Sequence, residues 1–297
     1  MRCLVTGGAG FIGSHIVDLL ARKGFPVAAL DNFSSGAYLR PGVKMIKKDI
    51  RSEILADVRG FDAIFHFAAD PDSRASLLAA NSFSNNVIGT FNLLEAARKA
   101  DASRFVFASS SAVYGNAPIP TKEACPVSPI SNYGASKAAC EAFVSSYSNC
   151  YGIKATILRI ANAYGPRSRR GVMHDFYRSL RRNPNRLTVL GTGLQRKSYL
   201  HVSDCSRAIF LAFRKQKCQL ETYNIGGNDS MTVIEIARAL CKEMSLSPSI
   251  RTTGGDAWAG DTNLMQLDIS KIRALGFSPK IVFSQGLSSY IRWLSKN

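Results

Sequence analysis

The sequence lacks the features of a membrane protein, a disulfide-bonded fold or a zinc ribbon. None of its apolar runs approaches the ~18 residues that a membrane-spanning helix needs. Its seven cysteines are odd in number and include no Cys-x-x-Cys pair. The four histidines do not cluster, so no metal site is predicted. Since the first residues run into a glycine-rich turn without a signal-peptide layout, we expect a soluble, cytoplasmic protein.

Acidic residues are also scarce, because 21 Asp and Glu stand against 38 Lys and Arg, for a formal net charge of +17. The excess is concentrated between Tyr164 and Leu220, where thirteen cations accompany two acids. Such a stretch attracts polyanions. No groove-reading motif accompanies it, so nucleic-acid binding is not the favoured interpretation. A diphosphate ligand would need only one or two of these cations.

Apolar periodicity predicts strands that alternate with helices along the first half of the chain. Helices are predicted at 14–22, 87–99 and 133–151, the second of them with Asn86 at its start. Strands are predicted at 3–6, 27–30, 43–46, 63–67, 104–108 and 155–160. This alternation predicts a Rossmann-type doubly wound α/β fold, in which helices cover both faces of a parallel sheet.

The pattern changes after residue 165, where glycine, proline and arginine interrupt the periodicity. A strand at 223–225 and helices at 203–214 and 233–244 are predicted there. We therefore predict a nucleotide-binding domain at 1–165 and a smaller, mixed α/β substrate-binding lobe at 166–297, with some interleaved segments.

A glycine turn, Gly7-x-x-Gly10-x-x-Gly13, lies between the first strand and the first helix. There the backbone can approach a pyrophosphate, and the helix N-terminus offers free N–H groups. Asp31 follows the second strand, 18 residues after Gly13, near the spacing at which an acid binds an adenosine ribose. A carboxylate there repels a 2′-phosphate. The predicted cofactor is therefore NAD.

Tyr133 and Lys137 are four residues apart on a predicted helix and so share one face. A nearby cation favours the phenolate, which would lower the pKa of Tyr133 from about 10 and make it a base. A serine-rich strand end at 109–111 precedes them. Because the carboxyl ends of parallel strands face the ligand, this placement favours catalysis over packing.

Seven ordered segments resemble the extended short-chain dehydrogenase/reductase family, and within it the archaeal-type epimerases of UDP-hexoses. The resemblance covers nearly the whole chain. The segments are 6–14 (TGGAGFIGS), 65–69 (FHFAA), 86–90 (NVIGT), 109–115 (SSSAVYG), 133–137 (YGASK), 158–166 (LRIANAYGP) and 195–204 (QRKSYLHVSD).

The resemblance implies roles for individual residues. Tyr133 would be the catalytic base, Lys137 its partner at the cofactor ribose, and Ser110 the hydroxyl that contacts the reacting oxygen. The implied cofactor-binding residues are Gly7, Gly10, Phe11, Ile12, Gly13, Asp31, Asn32, Asp49, Ile50, Ala68, Ala69, Asn86 and Lys137. The implied substrate-binding residues are Ser110, Tyr133, Asn162, Lys197 and Asp261.

The implied reaction is the NAD-dependent 4-epimerisation of a UDP-hexose such as UDP-galactose or UDP-glucose, through a transient 4-keto sugar. Dehydratases and decarboxylases of this family carry acids just after the catalytic hydroxyl, where this chain has Ser111 and Ala112. Another sugar-nucleotide epimerase, a reductase or, less favoured, a non-catalytic NAD-binding regulator stays open. A homodimer through the helices at 87–99 and 133–151 is a further expectation.

The sequence departs from the family at the diphosphate. Members usually place an arginine shortly before a Gly-Asp near the C-terminus, whereas here Trp258 lies two residues before Gly260-Asp261. Lys197 occupies a place that an arginine often fills, without the bidentate guanidinium fork. Either Arg251 or a residue of the basic stretch substitutes for it, or diphosphate binding is weak.

Overall fold

The computed structural model describes residues 1–71, 79–228 and 230–297 as one large sheet, two smaller sheets and surrounding helices. The strands are β1 (Cys3–Thr6), β2 (Val27–Asp31), β3 (Lys44–Lys47), β4 (Ala63–His66), β5 (Arg104–Ser110), β6 (Lys154–Ile160), β7 (Asn162–Tyr164), β8 (Arg186–Val189), β9 (Arg196–His201), β10 (Leu220–Ile225), β11 (Ser230–Thr232), β12 (Ser249–Thr252) and β13 (Leu264–Met265). The α-helices are α1 (Phe11–Arg22), α2 (Leu55–Val58), α3 (Ala79–Ser82), α4 (Gly89–Lys99), α5 (Asn132–Tyr151), α6 (Val172–Arg182), α7 (Val202–Lys215), α8 (Val233–Glu243), α9 (Ser270–Ala274) and α10 (Phe283–Lys296). A π-helical segment covers Phe83–Ile88 and a 3₁₀ turn covers Ser111–Tyr114.

The large sheet has seven strands in the order β10-β6-β5-β4-β1-β2-β3. Every neighbouring pair in it is parallel. The central strands β1 and β4 are buried along their whole length. Each begins with three consecutive apolar residues, as expected for a strand that is buried on both faces. The predicted Rossmann-type, doubly wound α/β fold is confirmed.

Each face of this sheet has its own hydrophobic core. Ile16 of α1 and Phe213 of α7 belong to one core. Leu93 of α4 and Val144 of α5 belong to the other. Each is at most 1% exposed, and burying such a side chain contributes about 1.5–3 kcal/mol. The helical spacing of apolar residues therefore positions these helices against the strands.

The strand near 223–225 is the edge strand β10, which pairs in parallel with β6, so the chain returns to the large sheet after residue 166, in keeping with interleaved segments. One feature differs from the sequence-based expectation. The helix does not begin at Asn86, because helical backbone extends continuously from Ala79 to Lys99. The Asn86 side chain is 1% exposed and bonds inward, so it does not cap a helix end.

The smaller lobe is built on strand β9, which β11, β13 and β7 flank in a four-stranded sheet. Strands β8 and β12 form a separate parallel pair. Helices α6, α8 and α10 supply a third core that includes Phe176, Ile236 and Tyr290. This lobe lies beside the carboxyl ends of the large sheet's strands, as the cavity described below requires.

The described residues can also be compared with three expectations from composition, which concern membrane spans, disulfide bonds and metal sites. Among the described helices, none combines the length and apolarity needed to cross a bilayer. All seven cysteines are free thiols. Within 1–71, 79–228 and 230–297, no three His, Cys, Asp or Glu side chains are grouped so as to hold a metal ion.

A buried ion pair joins α5 to the large sheet. Arg159 of β6 and Glu141 of α5 are 7% and 6% exposed, and their closest atoms, Nη2 and Oε2, are 2.7 Å apart. The Arg159 guanidinium also donates to the Tyr114 hydroxyl at 2.9 Å, and Ser109 donates to Glu141. Each of the two charges thus has several hydrogen-bond partners. Removal of one residue of the pair would leave the charge of the other buried and unpaired.

Arg159→Met is therefore expected to lower the free energy of unfolding by about 3–5 kcal/mol, as measured by urea denaturation. Arg98→Met on α4 is the matched control, because Arg98 pairs with Glu95 at 3.0 Å on the surface. We expect that control to change stability little, since surface pairs are weak. Equal losses in both variants would contradict the importance of the buried pair.

Candidate active site

A single cavity of about 1680 Å³ opens along the carboxyl ends of the large sheet's strands. The predicted residues on its wall are Gly7, Gly10, Phe11, Ile12, Gly13, Asp31, Asn32, Asp49, Ile50, Ala68, Ala69, Ser110, Tyr133, Lys137, Asn162, Lys197 and Asp261. The cavity exceeds the usual 300–1,000 Å³ range for ligand pockets. It therefore has room for a dinucleotide and a second ligand side by side.

The glycine turn forms one end of the cavity. Gly7 has φ +67°, and a Cβ there would lie 2.6 Å from the backbone N of Ala68. A Cβ at Gly13 would lie 2.1 Å from the Gly7 carbonyl oxygen. Helix α1 begins directly after Gly10, and no side chain caps its N-terminus. The turn thus presents backbone and a helix N-terminus, which fit a pyrophosphate.

Asp31, at the end of β2, is 7% exposed and holds the turn in place. One carboxylate oxygen accepts from Ala9 N at 3.0 Å and the other from Phe33 N at 2.7 Å. Each oxygen keeps acceptor capacity for a ribose hydroxyl. Nearby, Asn32 donates to Asp49 at 2.9 Å. A hydrogen bond from Arg51 holds the pKa of the Asp49 carboxyl well below its usual range.

Asn86 is the one predicted cofactor residue that the structure places behind the cavity wall. Its side-chain oxygen accepts from Asp70 N at 2.8 Å, and its amide donates to Asp70 O at 3.2 Å and Ser136 Oγ at 2.9 Å. Asn86 therefore ties the segment after β4 to helix α5. Its contribution to a cofactor site is to position Ala69 and Asp70.

Tyr133 and Ser110 meet at the centre of the cavity. Ser110 ends β5 and its Oγ accepts from Ala112 N at 3.2 Å, while Ser131 caps α5 by accepting from Gly134 N at 3.1 Å. These two turns place the Ser110 hydroxyl beside the Tyr133 phenol on the cavity wall. Burial raises the pKa of Tyr133 to about 12, and the nearby Ser110 hydroxyl acts against that rise.

Lys137 does not act on Tyr133 as the spacing suggested. Its Nζ donates to the Ala108 carbonyl oxygen at 2.8 Å and lies 4.9 Å from the centroid of the Phe107 ring. Lys137 is absent from the groups that shift the pKa of Tyr133. The expected lowering of that pKa is thus wrong for this geometry, because the ammonium is turned toward β5. Burial lowers the pKa of Lys137 itself to about 8.

The other predicted substrate residues, Asn162, Lys197 and Asp261, lie across the cavity on the smaller lobe. Asn162 donates to Ser198 O at 3.2 Å. Lys197 forms a largely buried ion pair with Asp261, and its Nζ lies 5.1 Å from the centroid of the Trp258 ring. Lys197 and Asp261 had been predicted separately, and nothing in their sequence positions, 64 residues apart, indicated that they pair.

Arginines of the basic stretch also reach the wall, among them Arg169, Arg170 and Arg178. Arg251, the alternative named from the sequence, is exposed on β12 and is not part of the cavity lining. Within the described residues, no hydrogen bond or ion pair involves Arg178. Of the two candidate sources of a substitute cation, only the basic stretch contributes residues to the described cavity wall.

Sequence reasoning missed a contact that joins the two lobes. Arg167 Nη2 lies 2.6 Å from an Asp18 carboxylate oxygen, and its guanidinium is 3.4 Å from the centroid of the Tyr38 ring. Arg40 pairs with the same carboxylate at 3.0 Å. The loop that carries Tyr38 is thereby held over the glycine turn, where Tyr38 N donates to Ala9 O at 3.2 Å. The only available signal was the basic stretch that contains Arg167.

A parallel-sheet nucleotide cleft whose wall carries a tyrosine, a serine and a lysine defines an enzyme of the extended short-chain dehydrogenase/reductase class. The family model for the NAD dependent epimerase/dehydratase family matches residues 3–226. The chain belongs to this family, and NAD is its cofactor. The glycine turn, the α1 N-terminus and Asp31 fit that cofactor.

Individual relatives extend the similarity over the full length. A crystal structure of a UDP-galactose 4-epimerase is 40% identical and superimposes with a TM-score of 0.92, covering 100% of this chain and 99% of that one. The UDP-glucose 4-epimerase of Thermotoga maritima, solved with UDP-glucose, is 32% identical with a TM-score of 0.92, over 100% and 99%. A dTDP-glucose 4,6-dehydratase of Streptomyces niveus is 35% identical over 100% of this chain and 94% of its own.

The buried ammonium of Lys137 predicts a pH dependence of stability. Its folded pKa of about 8 lies below the ordinary 10.5. Between these values the unfolded chain holds a proton that the folded chain has released, so stability rises with pH. Below about pH 8 both states are protonated and the contribution is constant. Compared with Lys137→Met, the wild type is expected to gain free energy of unfolding between pH 8 and 10.5.

Urea denaturation of both proteins across this range measures the effect. Lys99→Met, at an exposed lysine of α4, controls for the loss of a surface charge and should run parallel to wild type. A difference between wild type and Lys137→Met that does not change with pH would contradict a neutralised buried lysine.

Proposed function

We propose that this chain catalyses the NAD-dependent 4-epimerisation of a UDP-hexose, with Tyr133 as the base. The observation that carries the proposal is that Tyr133 and Ser110 line the same cavity. The wall of this cavity also includes the glycine turn on one side and Asn162 and Lys197 on the other. A sugar hydroxyl placed against the phenol would lie between a nicotinamide site and a diphosphate site.

In this proposal, residues of the cavity wall transfer one proton. When bound, NAD supplies the hydride acceptor at the sugar C4. Ser110 hydrogen-bonds the sugar oxygen, and Tyr133 removes its proton as the carbonyl forms. After the 4-keto sugar has turned over, a hydride returns to the opposite face of C4, and Tyr133 returns the proton to the oxygen. Because oxidation and reduction cancel, no net NADH is released.

Tyr133 needs a positive charge nearby to act as a base at neutral pH, since burial raises its pKa to about 12. Lys137 is one helical turn away on α5 and is the candidate cation. Rotation of its side chain from the Ala108 carbonyl toward the phenol would favour the phenolate. We therefore propose two positions for the Lys137 side chain. In this structure it donates to the Ala108 carbonyl oxygen, and in the second position it would lie beside the phenol.

The diphosphate is assigned to Lys197 and Arg178. Lys197 is already paired with Asp261, so it cannot neutralise two phosphate charges by itself. Arg178 contributes a second cation from α6, whose first residues also line the cavity. Together Lys197 and Arg178 replace the arginine that family members usually carry where this chain has Trp258.

Elimination of water, the reaction of the related dehydratases, is the second candidate that we considered. It requires an acid and a base at the sugar besides the tyrosine. Ser111 and Ala112 line the cavity directly after Ser110 and offer no carboxylate there. This favours epimerisation over dehydration.

Purified protein incubated with UDP-galactose is expected to form UDP-glucose, followed by chromatography, without stoichiometric NADH, followed by absorbance. Tyr133→Phe should lower the rate by roughly 10²–10⁴-fold, because it removes the proton-transfer group and keeps the ring. Tyr151→Phe, on the same helix and 53% exposed, is the control and should keep full activity.

Three outcomes would contradict the proposal. No conversion by protein that retains NAD would exclude a UDP-hexose substrate. Net NADH would indicate a reductase or dehydrogenase. A 4-keto-6-deoxy product from dTDP-glucose would indicate dehydration despite the missing carboxylates.

We also propose a homodimer through α4 and α5. Phe91 and Phe143 are 40% and 37% exposed although their rings pack together with centroids 5.6 Å apart. Tyr151, 53% exposed, extends the same apolar surface. A second copy presenting the same two helices would cover this patch in a self-complementary, two-fold arrangement.

Light scattering coupled to size-exclusion chromatography is expected to give the mass of a dimer. Phe91→Asp combined with Phe143→Asp should give a monomer, because it buries two carboxylates in the interface. Val282→Asp, at another exposed apolar residue that is 57% accessible, should stay dimeric. A monomeric wild type would refute this assembly.

A further inference from the structure

Strand β9 and the residue before it run along the substrate side of the cavity. Side chains alternate on an extended segment, so Gln195, Lys197 and Tyr199 point to one side, and all three line the cavity. Tyr199 pairs in register with Asn162, one of the residues implied to bind the substrate. At about 3.3 Å per residue, Lys197 is roughly 7 Å and Gln195 roughly 13 Å from that point.

This spacing follows the order of parts in a sugar nucleotide. If the sugar lies at Asn162 and the diphosphate at Lys197, the next part along β9 is the nucleoside, at Gln195. Leu190 and Trp258 also line the cavity, and their chain neighbours Gly191 and Ala257 lie beside each other next to the Gln195 amide. An aromatic and aliphatic lining of this kind suits a flat base better than it suits a phosphate.

Gln195 carries an unsatisfied polar group at this position. The residue is 4% exposed, and within the described chain its buried Oε1 has no hydrogen-bond partner. Its Nε2 packs so closely on Gly191 that a Cβ there would lie 2.2 Å away. Because an unpaired buried carbonyl oxygen is costly, a ligand group that donates a hydrogen bond to it would be selected.

We propose that Gln195 is a specificity-determining residue that recognises the base of the sugar nucleotide, with Oε1 accepting from the ring N3–H of uracil or thymine. Cytosine has a lone pair at N3, so it would leave the Gln195 oxygen facing a second acceptor. This inference rests on the proposed function for the ligand class alone. It assigns Gln195 no part in the proton transfer at Tyr133.

Isothermal titration of the NAD-loaded protein with UDP, CDP and N3-methyl-UDP tests the assignment. Wild type is expected to bind UDP at least roughly tenfold more tightly than CDP or N3-methyl-UDP, because only UDP donates at N3. Gln195→Met, of similar length and without the amide, should lose that preference by weakening UDP and leaving CDP unchanged. Gln285→Met, at an exposed glutamine of α10, should behave as wild type.

Equal wild-type affinity for UDP and N3-methyl-UDP would overturn the proposal, and this comparison needs no variant to fold. Equal weakening of UDP and CDP in Gln195→Met would also overturn it, since that indicates a structural role. A UDP preference without conversion of UDP-galactose would refute the 4-epimerase and leave the base assignment intact. Conversion without a base preference would do the reverse.

Discussion

The common direction of the seven strands in the large sheet is the constraint on which the site depends. Because all pairs are parallel, the carboxyl ends of β1, β2, β4 and β5 open at one edge. Gly7, Asp31, Ala68 and Ser110 follow or end those strands. Groups that are up to about a hundred residues apart in the chain thus share one cavity wall. An antiparallel connection at any of these strands would send one of the groups to the opposite edge.

The smaller lobe is tied to this edge by the path of the chain as well as by contacts. After building β9, the chain returns through α7 and β10 to the large sheet, so the lobe is anchored on both sides. Arg167 adds a direct bridge to Asp18 of α1. The substrate wall is therefore held at a defined distance from the cofactor wall. The proposed transient oxidation, in which the same sugar carbon gives up and regains a hydride, would benefit from that rigidity.

Features set by local periodicity could be predicted from the sequence, whereas features set by distant contacts could not. The strand-turn-helix unit around Gly7 and the spacing to Asp31 are local, and the structure contains them. The inward bonds of Asn86, the parallel pairing of β10 with β6, and the ion pair of Lys197 with Asp261 each join residues far apart in sequence. A single sequence carries no signal for such pairings, because the side chains involved are equally compatible with an exposed turn, a separate lobe or solvated charges.

The Tyr133 environment shows why spacing on a helix is an incomplete guide to chemistry. An i, i+4 relation puts Tyr133 and Lys137 on one face, but the low-dielectric interior makes each charged form costly. The Lys137 ammonium offsets that cost by donating a hydrogen bond to Ala108 O. The Tyr133 phenol avoids the cost by staying protonated beside Ser110. The burial that would protect a reactive keto sugar from water thus also keeps Tyr133, the proposed base, neutral. Under the proposed function, catalysis would depend on where the Lys137 charge lies, and rotation of that one side chain would move the charge from Ala108 O to the phenol.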